Sequence, residues 1–266
     1  MKRLQPYLYY LKISAQKKLT YRFDIWSGLF SAALLLFIEV FLWRSLYSGG
    51  GTVSGVNLSE MLTYLIVSLF LRYLFSYSVD ENLRHSIIRG DIALDFIKPV
   101  SIYGIYLAQD IGMALSGLCI FFLPLFLLAS VAIQFPFPAA PVLLIPFFVS
   151  AIFGYLILWL LGALVGTLNF WLLKFGNFGM VQQILIMLFS GAYVPIWFFP
   201  EWIQRILNCL PFVYTYQLPI GIYIGRYGTG EILWGLGVQL FWVVLLFGLF
   251  QIVSRRAQKK VLVQGG

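Results

Sequence analysis

Apolar runs of about twenty residues alternate with short polar or charged stretches along nearly the whole chain. They fall at roughly Ile25–Trp43, Met61–Ser78, Leu107–Ile133, Val142–Leu168, Phe178–Val194 and Glu231–Val253. About 20 apolar residues in helical form cross the roughly 30 Å hydrocarbon core of a bilayer, so the pattern predicts six transmembrane helices. The intervening stretches differ in character. Ser45–Ser59 is polar and carries Gly49, Gly50 and Gly51, Val79–Tyr106 is the longest charged stretch, and Gln134–Pro141 has three prolines and no charge. Before the first run, Leu4, Leu8, Leu11, Ala15, Leu19 and Phe23 recur every three or four residues among Lys2, Arg3, Lys12, Lys17, Lys18 and Arg22. That is the stripe of an amphipathic helix suited to a membrane interface. The expected organisation is an interface helix over 1–24, a six-helix membrane domain over 25–253 and a basic tail over 254–266.

Composition agrees. Of 266 residues 61% are hydrophobic and 11% charged, against about 25% charged in a soluble domain. The formal net charge of +8 would raise nucleic acid as a partner in a soluble protein, but here the charges sit at helix ends and in loops, where topology accounts for them. Fourteen of the 18 basic residues lie in the N-terminal arm, 79–106, 169–177 and the C-terminal tail, while Arg44, Arg205 and Arg226 fall on the other side and Arg72 within the second run. The positive-inside bias therefore predicts both termini in the cytoplasm. Trp26, Trp43, Trp171 and Trp234 lie near helix ends, where interfacial aromatics belong.

Two charges stand deep in apolar runs. Glu39 lies roughly 21 Å from the inner end of its helix and Arg72 roughly 16 Å from the outer end of the next, at 1.5 Å per residue. In antiparallel neighbours their depths differ by roughly 7 Å in a core about 30 Å thick, within reach of an Arg side chain. They either pair, or each snorkels or lines a wet cavity. Asp110 lies near the inner end of its run and is expected to reach the interface. Gly162 and Gly166, and Gly221 and Gly225, make Gly-x-x-x-Gly steps that allow close helix approach.

No P-loop, His-Glu-x-x-His or Gly-x-Ser-x-Gly stretch occurs, so no catalytic constellation is expected. His85 is the single histidine, and Cys119 and Cys209 fall at different depths. Neither a zinc site nor a disulfide is expected.

Two segments carry more information. In Arg89-Gly90-Asp91-Ile92-Ala93-Leu94-Asp95-Phe96-Ile97-Lys98-Pro99, Gly90 breaks a helix, Asp91 can cap a new one and Pro99 ends it. The result is a two-turn helix with Ile92, Phe96 and Ile97 on one apolar side. It suits docking onto a cytosolic protein, or lying on lipid. The second segment, 195–230, is broken by Pro195, Pro200, Pro211 and Pro219. It is too apolar for an ordinary loop and too broken to span, so a re-entrant or interfacial helical hairpin is expected.

Together these segments resemble the membrane subunits of type-2 ABC exporters. Gly90, Leu94 and Pro99 match that family's first cytoplasmic loop in order. Ser190, Gly191, Pro195, Pro200, Trp202, Leu210 and Pro211 match its motifs after the fifth span. The Arg-Gly-Asp…Leu…Pro loop is most similar to the branch beside antibiotic-resistance and peptide-export genes. The resemblance implies a plasma-membrane permease dimer, identical or heteromeric, each subunit binding a separate ATPase subunit that holds ATP and Mg. It implies a coupling helix at 89–99, an outer gate at Gly191, Pro195, Pro200, Trp202 and Pro211, and no cofactor on this chain. A lipid-like molecule, hydrophobic antibiotic or peptide would be the cargo. Two other readings are an ATP-independent carrier or channel, which usually shows internal repeats, and a membrane scaffold or sensor, which needs neither coupling helix nor hairpin.

A reporter fused after Arg256 is expected to read cytoplasmic in a protease-protection assay. An extracytoplasmic reading would invert the topology and remove the coupling assignment.

Overall fold

The computed structural model describes residues 4–19, 22–97, 99–132, 138–172 and 178–264. Lys98 and Lys174, and residues 134–137 of the proline-rich stretch, lie outside them. The regular elements of the described chain are all helical, with one isolated bridge, Val53–Val56, and no strand among the described residues.

Helix α1, Gln5–Lys17, precedes α2, Arg22–Leu46. A capping box then opens α3, Leu58–Leu74: the Asn57 side chain accepts from the Glu60 amide while Glu60 accepts from the Asn57 amide. After a break at 75–78 come α4, Val79–Arg89, and the six-residue α5, Ile92–Ile97. Helix α6, Ile102–Gly117, passes through one π-helical turn, Leu118–Phe122, into α7, Leu123–Ala132. Helix α8 is Leu144–Leu172, entered through a 3-10 turn at Pro141–Leu143. Helix α9 is Phe178–Phe189, α10 is Glu201–Leu207, α11 is Gln217–Tyr223 and α12 is Thr229–Gln264.

Five helical stretches are long and apolar enough to cross a membrane: 22–46, 58–89, 102–130, 141–171 and 229–259. The sixth apolar helix, α9, has 12 residues, about 18 Å against a core of about 30 Å. It stops at Phe189, short of the expected Val194, where Ser190 and Gly191 turn the chain. At the C-terminus the helix continues past Val253, so the basic tail extends α12 instead of leaving it.

Small residues decide the closest contacts. Gly162 and Gly166 of α8 face Tyr77 and Val79, and Asp80 and Leu83, on and beside α4. A Cβ on Gly166 would stand 2.8 Å from the Asp80 Cα, a backbone atom with little freedom to yield. On α6, Gly104 lies against the Tyr7 ring and Gly112 against the Leu11 carbonyl. Tyr7 meets Ser101, Ser14 Oγ donates to the Gln109 carbonyl and Lys18 Nζ to the Met113 carbonyl. The two helices thus run side by side in the same direction. The face α1 buries holds Tyr7, Leu11, Ser14 and Lys18, whereas Leu4, Leu8 and Leu19 of the expected apolar stripe stay exposed. Burial pushes the Lys18 ammonium below its ordinary pKa.

At the opposite end of the bundle, Gln239 of α12 is fully buried and donates from Nε2 to the carbonyls of Ser150 and Tyr214. This ties α12 to α8 and to the segment before α11. Trp43, expected at an interface, is buried and packs on Phe198 with ring centroids 5.2 Å apart.

Replacing Gly166 with Val should force α4 away from α8, at a cost of about 1–3 kcal/mol typical of overpacking. The expected readout is a lowered thermal midpoint in fluorescence-detected size-exclusion chromatography. Gly237, with open space around its Cβ position, is the control that should tolerate Ala.

Candidate functional site

Three polar arrangements lie along α3 and its continuation. The first is at the break of 75–78. Asp110 of α6 is fully buried, correcting the expectation that it reaches the interface. Its Oδ1 accepts from the Ser78 amide and the Ser78 hydroxyl, both at 2.9 Å, and its Oδ2 from Trp159 Nε1 at 3.0 Å. The Ser78 amide lies just before the first turn of α4, where helix N–H groups lack intrahelical partners. A carboxylate from another span therefore supplies the acceptor that lets the chain leave α3 and start α4.

Helix α4 ends at Gly90, whose φ of +79° is a left-handed cap that suits glycine. Helix α5 follows at once. Ile92 is buried, Phe96 is half-buried and stacks on Phe170, and Ser86 Oγ donates to Asp95 Oδ2 at 2.8 Å. Leu94 is 67% exposed and Ile97 79% exposed. Arg89, Gly90, Asp91, Ala93 and Pro99 are exposed beside them. The apolar side expected to carry Ile92, Phe96 and Ile97 together is thus divided. Two of the three hold the helix to the protein, and the free apolar surface belongs to Leu94 and Ile97.

The second arrangement is at mid-depth. Arg72 of α3 donates from Nη1 to Glu39 Oε1 at 2.9 Å and from Nη2 to Oε2 at 3.1 Å, a bidentate bridge to α2. The guanidinium also lies 4.5 Å from the Tyr193 ring centroid, a cation–π contact. It borders a cavity of about 250 Å³ lined also by Tyr77, Gln183, Met187 and Tyr216.

The third arrangement holds the turn that ends α9. Tyr64 Oη donates toward the Gly191 carbonyl, and Ser68 Oγ bonds the Ala192 carbonyl. Gln217 Oε1 accepts from the Ile196 amide at 3.1 Å and lies 2.9 Å from Tyr64 Oη. The Ser190 carbonyl accepts from the Gln217 amide, and Ser190 Oγ accepts from the Ala192 amide. Gly191 has a φ of +85° and no room for a Cβ, which would meet Gln217 Oε1 and Tyr64 Oη. Irregular backbone at membrane depth is tolerated only where protein satisfies it, and here every one of these partners is protein. Pro195 opens a 3-10 turn, Ile196–Phe198. Pro200 precedes α10, which carries Trp202 65% exposed, and Pro211 is buried in the return toward α11.

A family model described as ABC-2 family transporter protein matches residues 33–265. The chain belongs to the ABC-2 transporter family. A search of curated proteins finds no match. The chain is therefore a membrane-spanning permease component of an ABC transporter.

In this ABC-2 permease Arg89, Gly90, Asp91, Ala93, Leu94 and Ile97 are exposed while Ile92 is buried, and Glu39 and Arg72 form one ion pair. Gly191 and Pro195 lie in the pinned turn, whereas Trp202 stands apart from it on the exposed α10. Sequence reasoning missed Tyr64, Ser68, Gln217, Gln239 and Asp110 with Trp159. Polar groups deep in apolar runs are costly unless partnered. Tyr64 and Ser68, four residues apart on one helical face, carried that signal, as did Gln239.

Single changes that strand one charge of the mid-depth pair, Glu39→Leu or Arg72→Leu, should each cost about 2.5–3.5 kcal/mol. The double change should recover most of that loss, because no unpaired charge remains. Thermal midpoints of the purified variants check this; a double variant no better than its worse parent would show that the charges act separately.

Proposed function

We propose that this chain is one half of a permease dimer that exports its cargo with energy from a separate ATPase subunit, and that α5 is the coupling helix. The observation that carries the reading is the two-sided build of α5. Its buried side, Ile92 and Phe96, is fastened to a core cluster shared by α4, α6, α8 and α12, while Leu94 and Ile97 face outward. A helix so held can transmit a push instead of absorbing it. The push would pass through α4, whose start is fixed by Asp110 and whose flank lies on the glycines of α8.

On this reading the end of the bundle bearing α5 faces the cytoplasm of a cell whose plasma membrane the protein crosses six times. Helix α9, with the pinned turn after it, belongs to the fifth crossing. The segments from Pro195 through α11 form the outer re-entrant hairpin and gate. The exposed apolar residues of α1, Leu4 and Leu8, lie against lipid at the inner face. ATP and Mg bind the partner ATPase, so this chain is non-catalytic and carries no cofactor. The cavity beside Arg72 is apolar and aromatic for the most part, which suits a lipid-like molecule, a hydrophobic antibiotic or a peptide.

Leu94→Asp with Ile97→Asp should leave the protein folded and in the membrane, because both side chains are already exposed. Co-purification of the ATPase subunit from native membranes in mild detergent, and vanadate-sensitive turnover of the eluate, should both fall sharply. A double variant that retains the ATPase in wild-type amount with full turnover would overturn the assignment of α5. A wild-type protein that repeatedly elutes folded and without an ATPase would favour an ATP-independent carrier.

A further inference from the structure

A groove on the flank of the bundle has the form of an amphiphile. At the end bearing α5, a cavity of about 520 Å³ opens between α6, α8 and α12. Its mouth is polar and basic, with Ser101, Gln251, Ser254, Arg255 and Gln258. Its depth is apolar, with Leu160, Val243 and Phe247. A second cavity of about 290 Å³ adjoins it, lined by apolar surface of Ile111, Ala114, Leu115, Ala151 and Ile152. The two share Leu107 and Leu156, so they lie end to end along α6 and α8, with those two side chains between them.

Length and charge limit what can lie there. From Ser101 to Leu115 the groove follows α6 for about 21 Å. Half of the roughly 30 Å hydrocarbon core is about 15 Å, so the groove reaches from an interface to the middle of the bilayer, the depth of one leaflet. Phe247, Leu115 and Ile152 are each about half exposed, so the groove is open along its side. Among the described residues no Asp or Glu lines either cavity. Arg255 is exposed and makes no ion pair among the described residues. Arg256 and Lys259 follow it on the exposed surface of α12. Guanidinium groups recognise phosphate oxygens through charge-assisted hydrogen bonds, and the amides of Gln251 and Gln258 offer further donors.

We propose that this groove binds one anionic membrane phospholipid, its phosphate at Arg255 and an acyl chain along α6 and α8 toward Ile111 and Ile152. The occupant has to be a lipid because the far half of the groove offers nothing to a water-soluble anion, while the mouth offers nothing specific to a neutral hydrocarbon. Such a lipid would fasten α6, α8 and α12 together at the end where α5 lies. The proposal does not depend on the ATPase reading.

Native mass spectrometry of the purified full-length protein, titrated with phosphatidylglycerol, phosphatidylcholine or inorganic phosphate, tests it. One phosphatidylglycerol should be retained in preference to phosphatidylcholine, and inorganic phosphate should neither bind nor displace it. Arg255→Gln should weaken phosphatidylglycerol about tenfold, the loss expected for one charge-assisted hydrogen bond, and phosphatidylcholine, whose phosphate is offset by its own choline cation, by less. Ile152→Trp, which fills the apolar run from an exposed position, should weaken both lipids. Wild-type elution from a sizing column shows that each variant is folded. Equal retention of the two lipids, an Arg255→Gln protein that binds as wild type, or displacement by inorganic phosphate alone would each overturn the proposal.

Discussion

A bilayer interior offers no water to a backbone amide or carbonyl, so any interruption of a helix there has to be satisfied by protein. Two such interruptions among the described residues are resolved on α3 or beside it. At one, Tyr64 and Ser68 of α3 meet the carbonyls of Gly191 and Ala192 where α9 ends. At the other, α3 itself stops, and Asp110 receives the Ser78 amide so that α4 can begin. Helix α3 is accordingly the most buried of the long helices. Between the two interruptions it carries Arg72, whose bridge to Glu39 fastens α2 to the same axis.

This arrangement gives α3 contacts with both ends of the molecule. Its first half holds the turn that leads toward α10 and α11, and its continuation through α4 leads to α5. The segment in between is broken at 75–78, not straight, and the break is held by side chains from α6 and α8. The stretch from α5 back to α3 thus passes through an element whose angle is set by Asp110, Ser78 and Trp159. The glycines of α8 bring its backbone against α4, so the lower half of this path is as closely packed as the upper half is hydrogen-bonded.

The long helices were legible because lipid imposes a length and an apolar composition that few other environments require. The Glu39–Arg72 pair was legible as one of two alternatives: depth along antiparallel neighbours placed the charges within reach, but did not decide between a pair and separate solvation. The break after Leu74 was not legible. Phe75-Ser76-Tyr77-Ser78 contains neither Gly nor Pro, and the acceptor that permits the break comes from a residue 32 positions later. Asp110 was misjudged for the same reason, since depth along its own helix says nothing of what packs over it. The division of α5 was also hidden, because in six residues each side chain is one step from either face. The end of α9 at Phe189 depends on bonds to Tyr64, Ser68 and Gln217, none of them local.

The pairing of α1 with α6 has a consequence for how the chain is made. Ser14 and Lys18 bond to carbonyls 95 residues further on, on a helix that emerges only after α2, α3, α4 and α5. Until then α1 has its exposed leucines and basic side chains but no partner for Tyr7, Leu11 or Ser14. Helix α1 thus waits for α6 to find its place, and α8 and α12, which share the core at the end of the bundle that bears α5, follow later in the chain.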